Sequence, residues 1–116
     1  MRYAMLICMD PEATEADAAA APPIEGWFDY AIARGEYIQG VRLQPREDAT
    51  TVRVRDGKTL VTDGPFTESK EWLAGFAILE CADLDDAIDL AVRNEMAWKG
   101  RIEIRPIHSW GGPEDH

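Results

Sequence analysis

Apolar positions along the chain follow two periods. Residues 2–9, RYAMLICM, are apolar on both alternating sets: Tyr3, Met5, Ile7 and Met9 on one, Ala4, Leu6 and Cys8 on the other. Residues 72–81, WLAGFAILEC, repeat the pattern. Both read as strands buried on two sides. Between them, Pro22 and Pro23 suit a first helical turn. Ile24, Trp27, Phe28, Ala31 and Ile32 then recur at helical spacing, and Gly35 stops the helix. Asp83 is a cap for a second helix with a predicted inner face of Leu84, Ala87, Ile88, Ala91 and Val92. EYIQGVRLQ, 36–44, reads as a strand, and RIEIRPIH, 101–108, as an edge strand because it carries Pro106. Residues 10–21 are a polar, alanine-rich connection with no clear period.

The strongest local signal is TTVRVRDGKTLVTD, 50–63. Two alternating runs flank Asp56-Gly57, which favours a two-residue type I′ hairpin. That turn pairs Arg55 with Lys58, Val52 with Val61 and Thr50 with Asp63. Asp63 therefore shares a face with Val52, Val54 and Val61, while Arg53 and Arg55 share the other.

The order is β-α-β, hairpin, β-α-β. Right-handed crossovers place both helices on one face of the sheet, which predicts a ferredoxin-like α+β fold with an inserted hairpin. Two helices leave the second sheet face uncovered, although its central strands are apolar there. A second copy of the chain, packed sheet to sheet as a two-fold dimer, would cover it. The alternative is a hairpin folded back over that face. One domain is expected over residues 1–110, with 111–116 as a flexible tail.

Charge narrows the range of partners. Twelve basic residues against 22 acidic ones give a net charge of −10. Such a chain repels phosphate backbones and anionic lipid, so neither nucleic acid nor membrane is an expected partner. The two cysteines, Cys8 and Cys81, lie in apolar runs and suit reduced, buried thiols of a cytoplasmic protein. There is no zinc spacing, phosphate loop, dinucleotide fingerprint or nucleophile elbow, so no metal or cofactor is expected.

Candidate chemistry gathers in LVTDGPFTESKEW, 60–72. A carboxylate on an apolar face needs hydrogen bonds or a cation, or its pKa rises, which marks Asp63 as a candidate acid or base. Asp before Gly-Pro also commonly caps a turn, and the two roles can coexist. Gly64, preceding a proline, is expected to be extended. Glu68, Lys70 and Glu71 follow within one turn, and Glu68 and Lys70 complete the candidate catalytic set, as charge-positioning groups or as a solvated cluster. Arg53, Phe66 and Trp72 are the candidate ligand-binding residues, Trp72 as a pocket wall and Arg53 as an anion contact.

The stretch 50–76, with Asp63-Gly64-Pro65-Phe66 at its centre, closely resembles the YCII-related, or DGPF-domain, family. The opening MRYAMLI and closing GRIEIRP extend the resemblance over most of the chain. It implies a dimeric α+β barrel. Some members of that family are thought to use a His-Asp pair, and a dehydrochlorinase-type lyase belongs to the wider group. Here the histidines are His108 and His116, so no early histidine stands ready to pair with Asp63. The resemblance implies two functions: a small organic ligand bound in a cleft beside the DGPF segment, with lyase-like acid/base chemistry, or a non-catalytic regulatory module linked to an extracytoplasmic-function sigma factor.

Overall fold

The computed structural model describes residues 1–64 and 72–108. In chain order the elements are β1 (Arg2–Met9), α1 (Glu15–Ala19), α2 (Ile24–Ala33), β2 (Tyr37–Arg42), a 3-10 turn (Arg46–Asp48), β3 (Thr50–Arg55), β4 (Lys58–Asp63), β5 (Trp72–Glu80), α3 (Leu84–Val92), α4 (Met96–Lys99) and β6 (Arg101–Pro106). β1, β2, β5 and β6 form a four-stranded sheet in the order β2-β5-β1-β6, every pair antiparallel. β1 and β2 are thus parallel to each other with β5 between them, and β5 and β6 parallel with β1 between them. This is the ferredoxin-like α+β arrangement expected from the element order. β6 is an edge strand, and Pro106 sits at its end opposite Tyr3.

The hairpin has the predicted register throughout, from Arg55 opposite Lys58 to Thr50 opposite Asp63. Asp56 and Gly57 both take positive φ, 52° and 74°, as a type I′ turn requires. Among the described residues, β3 and β4 pair only with each other. Their valine face is open, with Val52, Val54 and Val61 exposed by 61%, 57% and 63%. Asp63 shares that face and is itself exposed, so the apolar confinement expected of its carboxylate is not met within one chain.

The core lies between the sheet and the helices. Tyr3, Met5, Ala77 and Leu79 from the sheet meet Trp27 and Ala31 of α2 and Ala87, Leu90 and Ala91 of α3. The helix faces match the expectation in part: Trp27, Ala31, Ala87 and Ala91 are buried as expected, but other positions are not. Leu84, Ile88 and Val92 are exposed by 48%, 43% and 55%, and Ile32 by 60%. The cause is lateral packing of the two helices. Trp27 Nε1 donates to Leu90 O (2.8 Å) and Tyr30 Oη to Asp89 (3.0 Å), which turns Leu90 inward and rolls Leu84, Ile88 and Val92 out. Pro23 proves to be the cap residue of α2, with Ile24 its first helical residue. Asp83 caps α3 as expected, accepting from Asp86 N (2.9 Å). Thr14 caps the short α1, which the sequence pattern did not show.

The second sheet face carries Ala4, Leu6 and Cys8 of β1 beside Phe76 and Ile78 of β5, all partly exposed. The molecule is 19 Å across its thinnest dimension. One helix layer of about 10–12 Å and one sheet layer of about 10 Å fill that thickness. The hairpin therefore does not lie over the second face, and the alternative covering is excluded.

Candidate functional site

The sequence-derived candidates divide between two places. Asp63 ends β4 on the open valine face, and Arg53 lies half-buried on the opposite face of the same hairpin. The two therefore do not converge. Gly64 follows Asp63 with φ 93°, a left-handed conformation suited to glycine, where an extended residue was expected. Its N–H donates to Ala49 O, and Thr51 Oγ1 donates to Gly64 O (2.9 Å), so the corner is tied to the start of β3. Glu68, Lys70 and Phe66 lie outside the described residues. Trp72 opens β5 opposite Met9, half-buried, with the Arg46 guanidinium 4.3 Å from its ring centroid.

A groove of about 620 Å³ opens at the same end of the sheet. Neither Asp63, Arg53 nor Trp72 lines it. Its floor is made shallow by small residues: Gly40 of β2, and Gly75 and Ala77 of β5. Trp27, Phe28 and Tyr37 form one wall. Their rings meet edge to face with centroids 5.1, 5.9 and 5.6 Å apart, which holds the wall rigid. Met9 and Met96 add polarizable, adaptable thioethers.

Four polar side chains interrupt this apolar lining: Arg42, Asn94, Glu95 and Lys99. Lys99 Nζ and Glu95 Oε2 are 3.1 Å apart, one helical turn from each other, and neutralise one another. Arg42 is exposed at the end of β2 and has no ion-pair partner among the described residues. Asn94 is 2% exposed. Its Oδ1 accepts from Met96 N (2.9 Å), which fixes the amide orientation. Nothing in the sequence singled out Arg42 or Asn94. A charged residue at a strand end and an asparagine after a helix are ordinary in those places.

A second polar cluster lies at the far end of β5. Glu36 is buried, and its carboxylate takes the Arg34 Nε–H at 2.5 Å. Cys81 is 2% exposed. Burial, and then the charge and hydrogen bond of Glu36, push its thiol up to about 11. Such a thiol is inert at neutral pH. The unfolded chain ionises this group near the ordinary thiol value and the folded one only near 11. Its stabilising effect is whole below the unfolded value and is lost as pH rises to about 11, by at most about 1.4 kcal/mol per pH unit. Denaturant titrations at pH 8 and pH 10.5 should show this loss, and Cys81→Ala should reduce it. At neutral pH, iodoacetamide should spare Cys81 until the protein unfolds.

Among the described residues no His, Cys, Asp and Glu side chains group for metal binding, and no helix is long and apolar enough to cross a membrane. The model of the YCII-related domain matches residues 1–111. An uncharacterised protein of Rhizobium meliloti (strain 1021) is 34% identical over 115 residues, covering 92% of each chain. A ferredoxin-like sheet with an inserted hairpin, a family match over nearly the whole sequence and a full-length relative agree: the chain belongs to the YCII-related domain family.

Proposed function

We propose that the protein works as a homodimer that binds a small organic molecule, expected beside the DGPF segment, in the groove over β2, β5 and β1. The observation that carries the ligand reading is the groove itself: an apolar, aromatic-walled concavity of about 620 Å³ with a few polar groups. That size and composition suit a small-molecule site. The dimer reading rests on the second sheet face. Its apolar centre, Ala4, Leu6, Phe76 and Ile78, is flanked on β6 by Arg101, Glu103 and Arg105, the arrangement of an interface core with a charged rim. Two such faces packed together would give the dimeric α+β barrel. The expected acid/base role of Asp63, with Glu68 and Lys70 supplying charge, would have to reach the ligand from outside this lining, because Asp63 does not line the groove within one chain.

A second reading, a non-catalytic interaction module, draws support from the exposed Leu84, Ile88 and Val92 stripe on α3. Sedimentation velocity should give twice the 13.0 kDa chain mass, and a monomer at all concentrations overturns the dimer. N-phenyl-1-naphthylamine, a neutral apolar dye, should brighten on binding. Met96→Trp, which fills the groove, should abolish that signal. Absence of any dye uptake removes the ligand reading and leaves the interaction module.

A further inference from the structure

The polar groups of the groove are unevenly matched. Lys99 and Glu95 satisfy each other, while Arg42 adds a positive charge with no carboxylate against it among the described residues. The lining therefore carries two cations and one carboxylate, within a chain whose net charge is −10. An acidic protein gains nothing in solubility from one more cation at the mouth of an apolar groove. It does gain a local attraction for an anion that the rest of its surface repels.

Asn94 supplies the second observation. Its Oδ1 is committed to Met96 N, so its Nδ2 amino group is the free end. No described residue accepts a hydrogen bond from that nitrogen. The side chain is nevertheless almost wholly buried and belongs to the groove lining. The nitrogen is not one of the fully enclosed polar atoms without a partner, so it keeps contact with solvent and can donate there to water or to a ligand oxygen. The free polar groups of Arg42 and Asn94 are thus both donors, and both call for oxygen acceptors.

Their placement sets the size of the occupant. Arg42 lies opposite Gly75, and Gly75 opposite Ile7, so these three residues mark one row across β2, β5 and β1. From β2 to β1 is about 10 Å, two strand spacings. α4 is tied to the β1 side, because Gly100 at its end lies against Cys8 O. An arginine side chain is long enough to cover most of that distance, so the Arg42 guanidinium and Asn94 Nδ2 can share one carboxylate, while the attached apolar body lies on the small-residue floor of Gly75 and Ala77 under the aromatic wall. A body of one or two fused rings, or an aliphatic chain of similar length, fits on that floor.

We infer that the groove selects an apolar carboxylic acid whose carboxylate meets Arg42 at the mouth and whose oxygens accept from Asn94 Nδ2. This inference rests on the ligand reading above and specifies its chemical class. Guanidinium is suited to carboxylate because its planar N–H pairs match the two oxygens.

The test compares 2-naphthoate with its neutral isostere 2-naphthamide, by competition against N-phenyl-1-naphthylamine. The native protein should prefer the acid by about tenfold, the equivalent of one charge-assisted contact. Arg42→Gln should erase that preference and leave the amide within about twofold. Asn94→Asp keeps an oxygen for Met96 N while replacing the free donor by an acceptor. It should weaken the acid by a further factor of about ten or more. A role for Asn94 confined to the α3–α4 turn predicts unchanged affinity for that variant. Equal affinity for acid and amide, or an unchanged affinity for the acid in either variant, overturns the inference while dye uptake preserves the broader ligand reading. Failure of the dye to bind at all overturns both.

Discussion

Trp27→Ala is expected to cost about 3–5 kcal/mol of folding stability, the range for deleting a buried aromatic ring. Trp27 is 3% exposed and touches every layer of the core. Its ring packs edge to face with Phe28 and Tyr37, and its indole N–H reaches across to Leu90 O in α3. Removing the ring opens a cavity and also strands a buried carbonyl. A domain of this size has a total stability of only about 5–15 kcal/mol, so the variant should stand near the limit of folding. Trp27→Phe keeps most of the volume and loses the hydrogen bond, so it should cost about 1–3 kcal/mol. Leu84→Ala and Ile88→Ala are the controls. Both residues are large and apolar, yet more than two-fifths exposed, and each change should stay within about 1 kcal/mol. Urea denaturation midpoints for the four variants decide the matter. Equal losses for Trp27 and Ile88 would show that the helices bury the face predicted by periodicity alone.

That contrast marks the boundary of what the sequence shows. The hairpin was legible to the residue, because Asp56-Gly57 admits one tight turn and the turn fixes every pair beyond it. The four-stranded sheet was legible because β1 and β5 are apolar on both faces and only central strands need that. The helix faces were read correctly at Trp27, Ala31, Ala87 and Ala91 and misread at Ile32, Leu84, Ile88 and Val92, because α2 and α3 also lean on each other. Periodicity assigns a helix one apolar stripe, and it has no means of seeing that Trp27 and Tyr30 reach sideways to Leu90 and Asp89. The short helices α1 and α4 escaped for a different reason: five and four residues are too few to show a period.

The candidate site was less legible than the fold. Asp63, Gly64 and the hairpin register were readable, since turn chemistry is local. The groove depends on residues from five elements, β1, α2, β2, β5 and α4, brought together by the fold. Arg42 becomes distinctive only when Lys99 is found to be matched by Glu95 and Arg42 is not. Asn94 becomes distinctive only when its oxygen is found on Met96 N and its nitrogen faces no acceptor among the described residues. Neither fact has a sequence signature, because pairing is a property of neighbours in space.

The floor of that groove yields the second large effect. Gly75→Ala should lower stability by about 3 kcal/mol, the upper end of the usual overpacking cost. A Cβ at Gly75 would sit 2.5 Å from Val41 O. That oxygen belongs to the backbone of β2 and cannot swing away as a side chain could. β2 must therefore separate from β5, straining a pairing that includes Leu43 N to Ala74 O at 2.9 Å. The same displacement carries Tyr37, Gly40 and Arg42 with it, so uptake of N-phenyl-1-naphthylamine should fall along with stability. Gly26→Ala is the opposing control. Nothing lies within 4 Å of its added Cβ, and it sits in α2, where alanine is favoured over glycine by about 0.8–1 kcal/mol. One glycine-to-alanine change should therefore stabilise the protein and the other destabilise it. Faster amide exchange along β2 in Gly75→Ala would place the damage at the predicted strand pair. A Gly75→Ala protein with native stability and native dye uptake would show that β2 and β5 do not approach this closely, and would remove the small-residue floor from the account of the groove.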